Sequence, residues 1–174
     1  MSKMVALSGI SRTGKDTLGA EFVKAGYHRV AMGDQIKALF KGVIREIHDI
    51  DSFTETDELK DLIRPILVHG GEVPGIYEYV LARTMQEARD FAPAINTRLF
   101  RPIEAEAWIA AGGEVWWVQR PGAVAKEPKE LAYVQEMHQR GMFSRYVIND
   151  APDADGWKWK SRAIVSELLE LETV

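Results

Sequence analysis

The sequence predicts a three-layer α/β domain with a mostly parallel sheet. Three observations lead there. Short apolar segments that read as strands alternate with longer segments of helical period. The chain between successive strands carries helical pattern, and helical crossovers join strands running in the same direction. The first strand also runs into a Gly-bearing turn that opens a helix.

Each element has its own signal. Met4–Ser8 is a short apolar run before a Gly, the pattern of a buried strand. A helix follows over Lys15–Ala25, with Leu18, Phe22 and Val23 on one face and Gly26 as its stop. Tyr27–Met32 is a second strand. A helix then starts near Asp34, a suitable N-cap, and Ile36, Leu39, Phe40, Val43, Ile44 and Ile47 recur on one face. Asp49–Glu58 is polar and acidic. Helices are expected over Leu59–His69 and Ile76–Asp90, separated by Gly70-Gly71 and Pro74-Gly75. Ala92–Thr97 reads as a strand, Ile103–Ala111 as a helix closed by Gly112-Gly113, and Glu114–Val118 as the strongest strand. Pro128–Arg140 is a helix with Pro in its first turn and Gly141 beyond its end. Tyr146–Ile148 is a last strand and Trp157–Leu171 a last helix.

The length of 174 residues suits one domain with a real core. At 46% hydrophobic and 28% charged residues, the chain is neither disordered nor collagen-like. No apolar run is long enough to span a bilayer, and the first residues are too short in apolar character for a signal segment. No cysteine is present, which excludes disulfides, thiolate zinc sites and cysteine nucleophiles. The net charge of −4 gives no support to a nucleic-acid surface. Residues 1–50 nevertheless carry 8 Lys/Arg against 5 Asp/Glu, a basic third that suits a small anionic ligand. His28, His48, His69 and His138 show no metal-ligand spacing. Trp157-Lys158-Trp159-Lys160 resembles a base-stacking segment but is better read as a helix burying one Trp.

The sharpest motif is Gly9-Ile10-Ser11-Arg12-Thr13-Gly14-Lys15-Asp16-Thr17, between a strand and a helix. That is the context of a phosphate-binding loop. Glycines let the backbone curl so that N–H groups converge on a phosphate, and the helix adds its positive end. Lys15 then reaches the outer phosphates as a mobile cation. Gly9, Ser11, Arg12, Thr13, Gly14, Lys15, Asp16 and Thr17 are therefore candidate cofactor-binding residues. Asp16 stands where a Mg²⁺-binding hydroxyl is usual. Its carboxylate is a hard oxygen ligand, so Asp16 and Thr17 are the candidate metal ligands. A carboxylate beside a triphosphate needs the metal or Arg12 to offset the repulsion.

Gly9, Arg12, Gly14, Lys15, Asp16 and Thr17 together resemble the loop of the deoxynucleoside monophosphate kinases of tailed bacteriophages. Further pieces follow that family's order. They are Met32-Gly33-Asp34-Gln35-Ile36-Lys37, Leu62-Ile63-Arg64-Pro65 through Gly70, Ile95-Asn96-Thr97-Arg98, and Glu104-Ala105-Glu106 with Gly112-Gly113. Val118-Gln119-Arg120-Pro121-Gly122 and Val147-Ile148-Asn149-Asp150 complete the series. The chain departs from the family at Glu72-Val73-Pro74-Gly75, where another Arg is usual, and is about two residues longer between Arg98 and Glu104 than the family pattern.

The resemblance implies a P-loop kinase fold with a five-stranded sheet, ATP, Mg²⁺ and a nucleotide acceptor. It implies one domain over 1–174, with 34–91 as a helical acceptor-binding insertion and about 120–130 as a short lid. Lys15, Arg12 and Arg64 are the expected catalytic residues. Asp34, Lys37, Arg64, Arg83 and Arg98 are expected to bind acceptor, and Arg120 and Asn149 to lie against ATP. Each has a plainer alternative: a solvated face for Lys37, a salt bridge to Asp61 or Glu58 for Arg64, a snorkelling side chain for Arg83, a turn for Asn149. Expected partners are small-molecule nucleotides, without nucleic acid or membrane, and a homodimer is left open. The expected location is cytoplasmic, in the host if the chain is phage-encoded. Two rivals stay open: a related small-molecule kinase resembling animal phosphomevalonate kinases, which share the Gly-Lys-Asp ending, and a nucleotide-binding module without transfer activity. The Asn-Lys-x-Asp guanine signature of GTPase switches is absent.

Overall fold

The computed structural model describes residues 4–172. The elements run β1 (Met4–Ser8), α1 (Lys15–Lys24), β2 (His28–Val30), α2 (Met32–His48), α3 (Asp57–Glu72), α4 (Ile76–Asp90) and β3 (Ala94–Asn96). They continue with α5 (Pro102–Ala110), β4 (Glu114–Gln119), α6 (Pro128–Gln139), β5 (Arg145–Ile148) and α7 (Ala154–Glu172). The five strands form one sheet of order β2-β3-β1-β4-β5, and every pairing is parallel.

Alternation across the strands builds the layers. Successive residues of a strand face opposite sides of the sheet. Trp116 of β4 packs edge-on against Phe22 of α1, whereas its neighbour Trp117 meets His138 of α6 and Phe143. Helices α1 and α6 therefore lie on opposite faces. On the α1 face, Val5, Leu7, Ile95, Trp116, Val118 and Val147 pack against Leu18 and Phe22 of α1 and Trp157, Val165 and Leu168 of α7. Burial of strands on both faces explains their nearly continuous apolar sequences.

The chain divides into two compact units. Among the described residues, one comprises 4–30 and 88–172 and holds the whole sheet. The other is Ala31–Glu87. Its small core brings Ile44 of α2, Ile50 and Ile63 of α3 together, with Phe40, Leu59, Ile66 and Leu67 around them.

Three sequence expectations need correction here. Helix α3 does not stop before Gly70-Gly71 but runs through to Glu72. A Cβ on Gly70 would lie 2.5 Å from the Phe40 ring, and one on Gly71 2.8 Å from Ile36. These glycines admit α2 side chains against α3 and do not mark a turn. Asp34 is not the N-cap of α2. The helix begins at Met32 with Ala31 as its cap, which leaves Asp34 in the first turn, where a carboxylate still suits the helix dipole. The apolar face of α2 is also split. Ile44 is buried and Ile36 and Phe40 are partly covered, while Leu39, Val43 and Ile47 are exposed.

Candidate functional site

The loop between β1 and α1 is built from backbone conformations that ordinary residues resist. Gly9 and Gly14 have φ values of 148° and 97°. A Cβ on Gly9 would collide with the Val118 carbonyl at the end of β4. One on Gly14 would collide with the Trp157 indole nitrogen and come within 2.8 Å of the Asn149 amide. Arg12 also has positive φ, at 64°, and its side chain is exposed. A non-glycine residue in that region marks a backbone held by its surroundings.

Lys15 lies under this curl, only 7% exposed. Its ammonium donates to the carbonyls of Gly9 (2.8 Å) and Ile10 (2.6 Å) and to Thr13 Oγ1 (3.3 Å). The Phe100 ring sits 5.8 Å away, and Glu104 of α5 fixes that segment by accepting the Phe100 and Arg101 N–H groups. Burial depresses the Lys15 pKa to about 8, and the nearby charges of Asp16 and Glu130 only partly counter it. The site therefore holds a desolvated cation that gains by meeting an anion.

Two features of the loop are invisible in the sequence pattern. Glu130 of α6 accepts from the Ser11 N–H (2.9 Å) and the Ser11 hydroxyl (2.7 Å) across 119 residues of sequence. Burial would raise its pKa, but these bonds, the Lys126 N–H and the Lys15 charge outweigh that and hold it below the usual carboxylate value. On the other side, Asn149 Nδ2 donates to the Thr13 carbonyl (3.0 Å) and Trp157 Nε1 to the Gly14 carbonyl (2.9 Å).

The remaining expected residues are placed as follows. Asp16 is exposed, with Arg98 Nε 3.8 Å from its carboxylate, so Arg98 at the end of β3 offsets the charge that Arg12 or a metal was expected to meet. Arg98 thereby stands beside the loop between β1 and α1. Thr17 is half-buried in the first turn of α1. Arg120 follows β4 and, with Ile10, Thr13, Leu131, His138 and Tyr146, lines a cavity of about 380 Å³, within the range of small-molecule sites. Asn149, expected against the base of ATP, is 2% exposed and works behind the loop. Trp157 is likewise buried while Trp159 is 73% exposed, as a helix burying one Trp requires. In the Ala31–Glu87 unit, Lys37 Nζ lies 4.0 Å from Asp34 and 5.4 Å from the Phe53 ring centre. Arg64 is 61% exposed and pairs with Asp61 at 3.1 Å, the plainer of its two readings. Arg83 is exposed on α4. Among the described residues no cluster of three or more His, Cys, Asp or Glu could hold a metal by itself, and no helix is long and apolar enough to cross a membrane.

No protein-family model matches the chain, and no curated protein is detectably similar to it in sequence. Solved structures are similar in shape. Dephospho-CoA kinase from Campylobacter jejuni superposes with a TM-score of 0.54 at 10% identity, over 97% of this chain and 98% of that one. Shikimate kinase from Bacteroides thetaiotaomicron gives 0.53 at 15% identity, over 96% and 98%. This is a P-loop kinase fold. Shikimate kinase from Acinetobacter baumannii shares the P-loop kinase fold too, with 0.52 at 12% identity over 96% and 93%. At these identities the likeness concerns the fold, and the residues must speak for the chemistry.

Proposed function

We propose that this chain is an ATP-dependent phosphotransferase that moves the γ-phosphate of ATP onto a nucleoside monophosphate, a deoxynucleotide in the first instance. The observation that carries the reading is the buried Lys15 ammonium inside a glycine-shaped loop at the carboxyl ends of parallel strands, where ligands bind in such sheets. Kinases of this fold that act on small molecules, dephospho-CoA kinase and shikimate kinase by name, support phosphoryl transfer. The ordered resemblance to phage deoxynucleoside monophosphate kinases supports the acceptor class.

Phosphoryl transfer needs positioning and charge neutralisation more than a protein base. The N–H groups of the loop and Lys15 hold the donor phosphates. Lys15 leaves its carbonyl partners to follow the outer phosphates, and Arg12 and Arg98 add charge beside them. Arg120, which lines the cavity together with Ile10 and Thr13 of the loop, is a further donor candidate. Asp34, Lys37, Arg64 and Arg83 are the acceptor candidates, and the segment 120–130 the lid. Asp16 and Thr17 would hold a Mg²⁺ ion arriving with ATP, and the ion would supply positive charge against the polyphosphate. Asp16 and Thr17 fit it, as one exposed carboxylate and one hydroxyl beside the loop. Such a sparse donor set suits a cation that takes its remaining ligands from phosphate and water.

The test is ADP formation from ATP with single added acceptors. The panel contains the common deoxynucleoside and ribonucleoside monophosphates, with dephospho-CoA and shikimate beside them. ADP that forms only with a nucleoside monophosphate, with the diphosphate as product, supports the reading. Turnover confined to another acceptor would leave a kinase but overturn the substrate class.

A further inference from the structure

The two hydrogen bonds behind the loop have a consequence for the groups in front of it. A trans peptide is planar, and its C=O and N–H point in opposite directions. The carbonyl of Thr13 and the N–H of Gly14 share one peptide unit. The carbonyl of Gly14 and the N–H of Lys15 share the next. Asn149 Nδ2 holds the first carbonyl at 3.0 Å, and Trp157 Nε1 holds the second at 2.9 Å. Both carbonyls are thus tied toward β5 and α7, so the Gly14 and Lys15 N–H groups are turned the opposite way.

We propose that Asn149 and Trp157 are positioning residues of the phosphate loop, a brace that aims the Gly14 and Lys15 N–H groups at bound polyphosphate. The proposal rests on reading the loop as a polyphosphate site. Three further observations support it. The brace is rigid: Trp157 is 3% exposed within the core formed by α1, α7 and the sheet, and the Asn149 backbone N–H is fixed to the Gln119 carbonyl of β4 at 2.7 Å. Gly14 is the residue both side chains press against, so its missing Cβ admits the brace as well as the left-handed turn. The Gly14 carbonyl also accepts the Leu18 N–H at 3.1 Å, so the indole bond fixes the start of α1 together with the loop. Buried side chains of this size are usually there for packing. Here each also spends its donor on a backbone carbonyl, and the two carbonyls are consecutive.

The experiment compares Trp157→Phe, which keeps a buried ring and loses only the indole N–H, with Asn149→Ala. Binding of MgATP and of inorganic tripolyphosphate is measured by calorimetry, beside a melting curve. With acceptor present, KM for ATP and KM for the monophosphate are measured separately. Each variant should bind both probes roughly 3–10-fold more weakly, the worth of one hydrogen bond. KM for ATP should rise in step, and KM for the monophosphate should stay put. A lower melting temperature with wild-type tripolyphosphate affinity in the folded protein would overturn the proposal, because a purely structural role predicts that result. So would equal loss on both substrates. Failure of the wild-type chain to bind either probe is a different outcome, and would overturn the reading of the loop itself.

Discussion

Lys15 is a buried ammonium bonded to two carbonyls of its own loop. Its pKa is lowered to about 8 from 10.5, chiefly by burial, so between these values the unfolded chain binds more protons than the folded one. Folding stability should therefore rise as pH climbs through that window, and Lys15→Met should abolish the rise. A bound polyphosphate reverses the balance by favouring the charged ammonium. Above about pH 8 ATP binding should take up a proton, whereas near neutrality the lysine is already charged. Calorimetry in buffers of different ionisation enthalpy reads this directly, and identical heats after buffer correction at both pH values would refute it. Lys15→Ala should lower turnover by roughly 10²–10³ while leaving the protein folded, the usual cost of removing one preorganised charge contact. Asp16 calls for a different measurement, because Arg98 already offsets its charge. If it helps to hold Mg²⁺, Asp16→Asn should raise the Mg²⁺ concentration needed for half-maximal activity and leave binding of metal-free ATP nearly unchanged. A fall in melting temperature with an unmoved Mg²⁺ dependence would assign Asp16 to the start of α1 instead.

At the scale of elements, Glu130 ties α6 to the loop by hydrogen bonds to Ser11. Burial would raise the Glu130 pKa, but the bonds from Ser11, the Lys126 N–H and the Lys15 charge together hold it below the usual carboxylate value of 4.5. A carboxyl whose folded pKa is depressed stabilises the fold above its unfolded value, and that contribution fades as pH falls through the folded one. Glu130→Gln should thus flatten the acid limb of the stability curve below about pH 4.5, and thermal melts between neutrality and about pH 3 would show it. An unchanged acid limb would mean that the Glu130 carboxylate and its partners in the loop contribute nothing to folding. Elements of this kind also show what the sequence can reveal. Strands and helices were legible wherever one period dominated: β1, α4 and β4 begin where their apolar patterns begin. Gly70-Gly71 misled because a glycine that makes a turn and one that admits a neighbouring ring are the same letter, and only Phe40 and Ile36 of α2 distinguish them. The loop was legible as a contiguous motif with its strand and helix. Glu130, Asn149 and Trp157 reach it from distant chain positions, so no local pattern marks them as parts of one site.

For the whole molecule, the proposed donor residues and the proposed acceptor residues fall in different units. Lys15, Asp16, Arg98 and Arg120 belong to the unit that contains the sheet, whereas Asp34, Lys37, Arg64 and Arg83 belong to Ala31–Glu87. Variants of the two sets should therefore fail in different terms of the rate law. Arg64 is the decisive case. Its guanidinium is exposed and pairs with Asp61 one helical turn away, an arrangement that contributes little to stability. Arg64→Ala should accordingly leave the melting temperature close to wild type. If Arg64 exchanges Asp61 for an acceptor phosphate, the bond becomes charge-assisted and bidentate. Losing a desolvated pair of that kind costs about 2–5 kcal/mol, which corresponds to a fall of roughly 30-fold or more in kcat/KM for the monophosphate. Arg64→Lys should restore little, because an ammonium cannot reproduce the planar fork. ATP affinity without acceptor should stay at the wild-type value in both variants. An Arg64→Ala enzyme with wild-type kcat/KM for the monophosphate would confine the residue to its salt bridge with Asp61, and the search for the phosphate contact would move to Arg83 and Lys37 in the same unit.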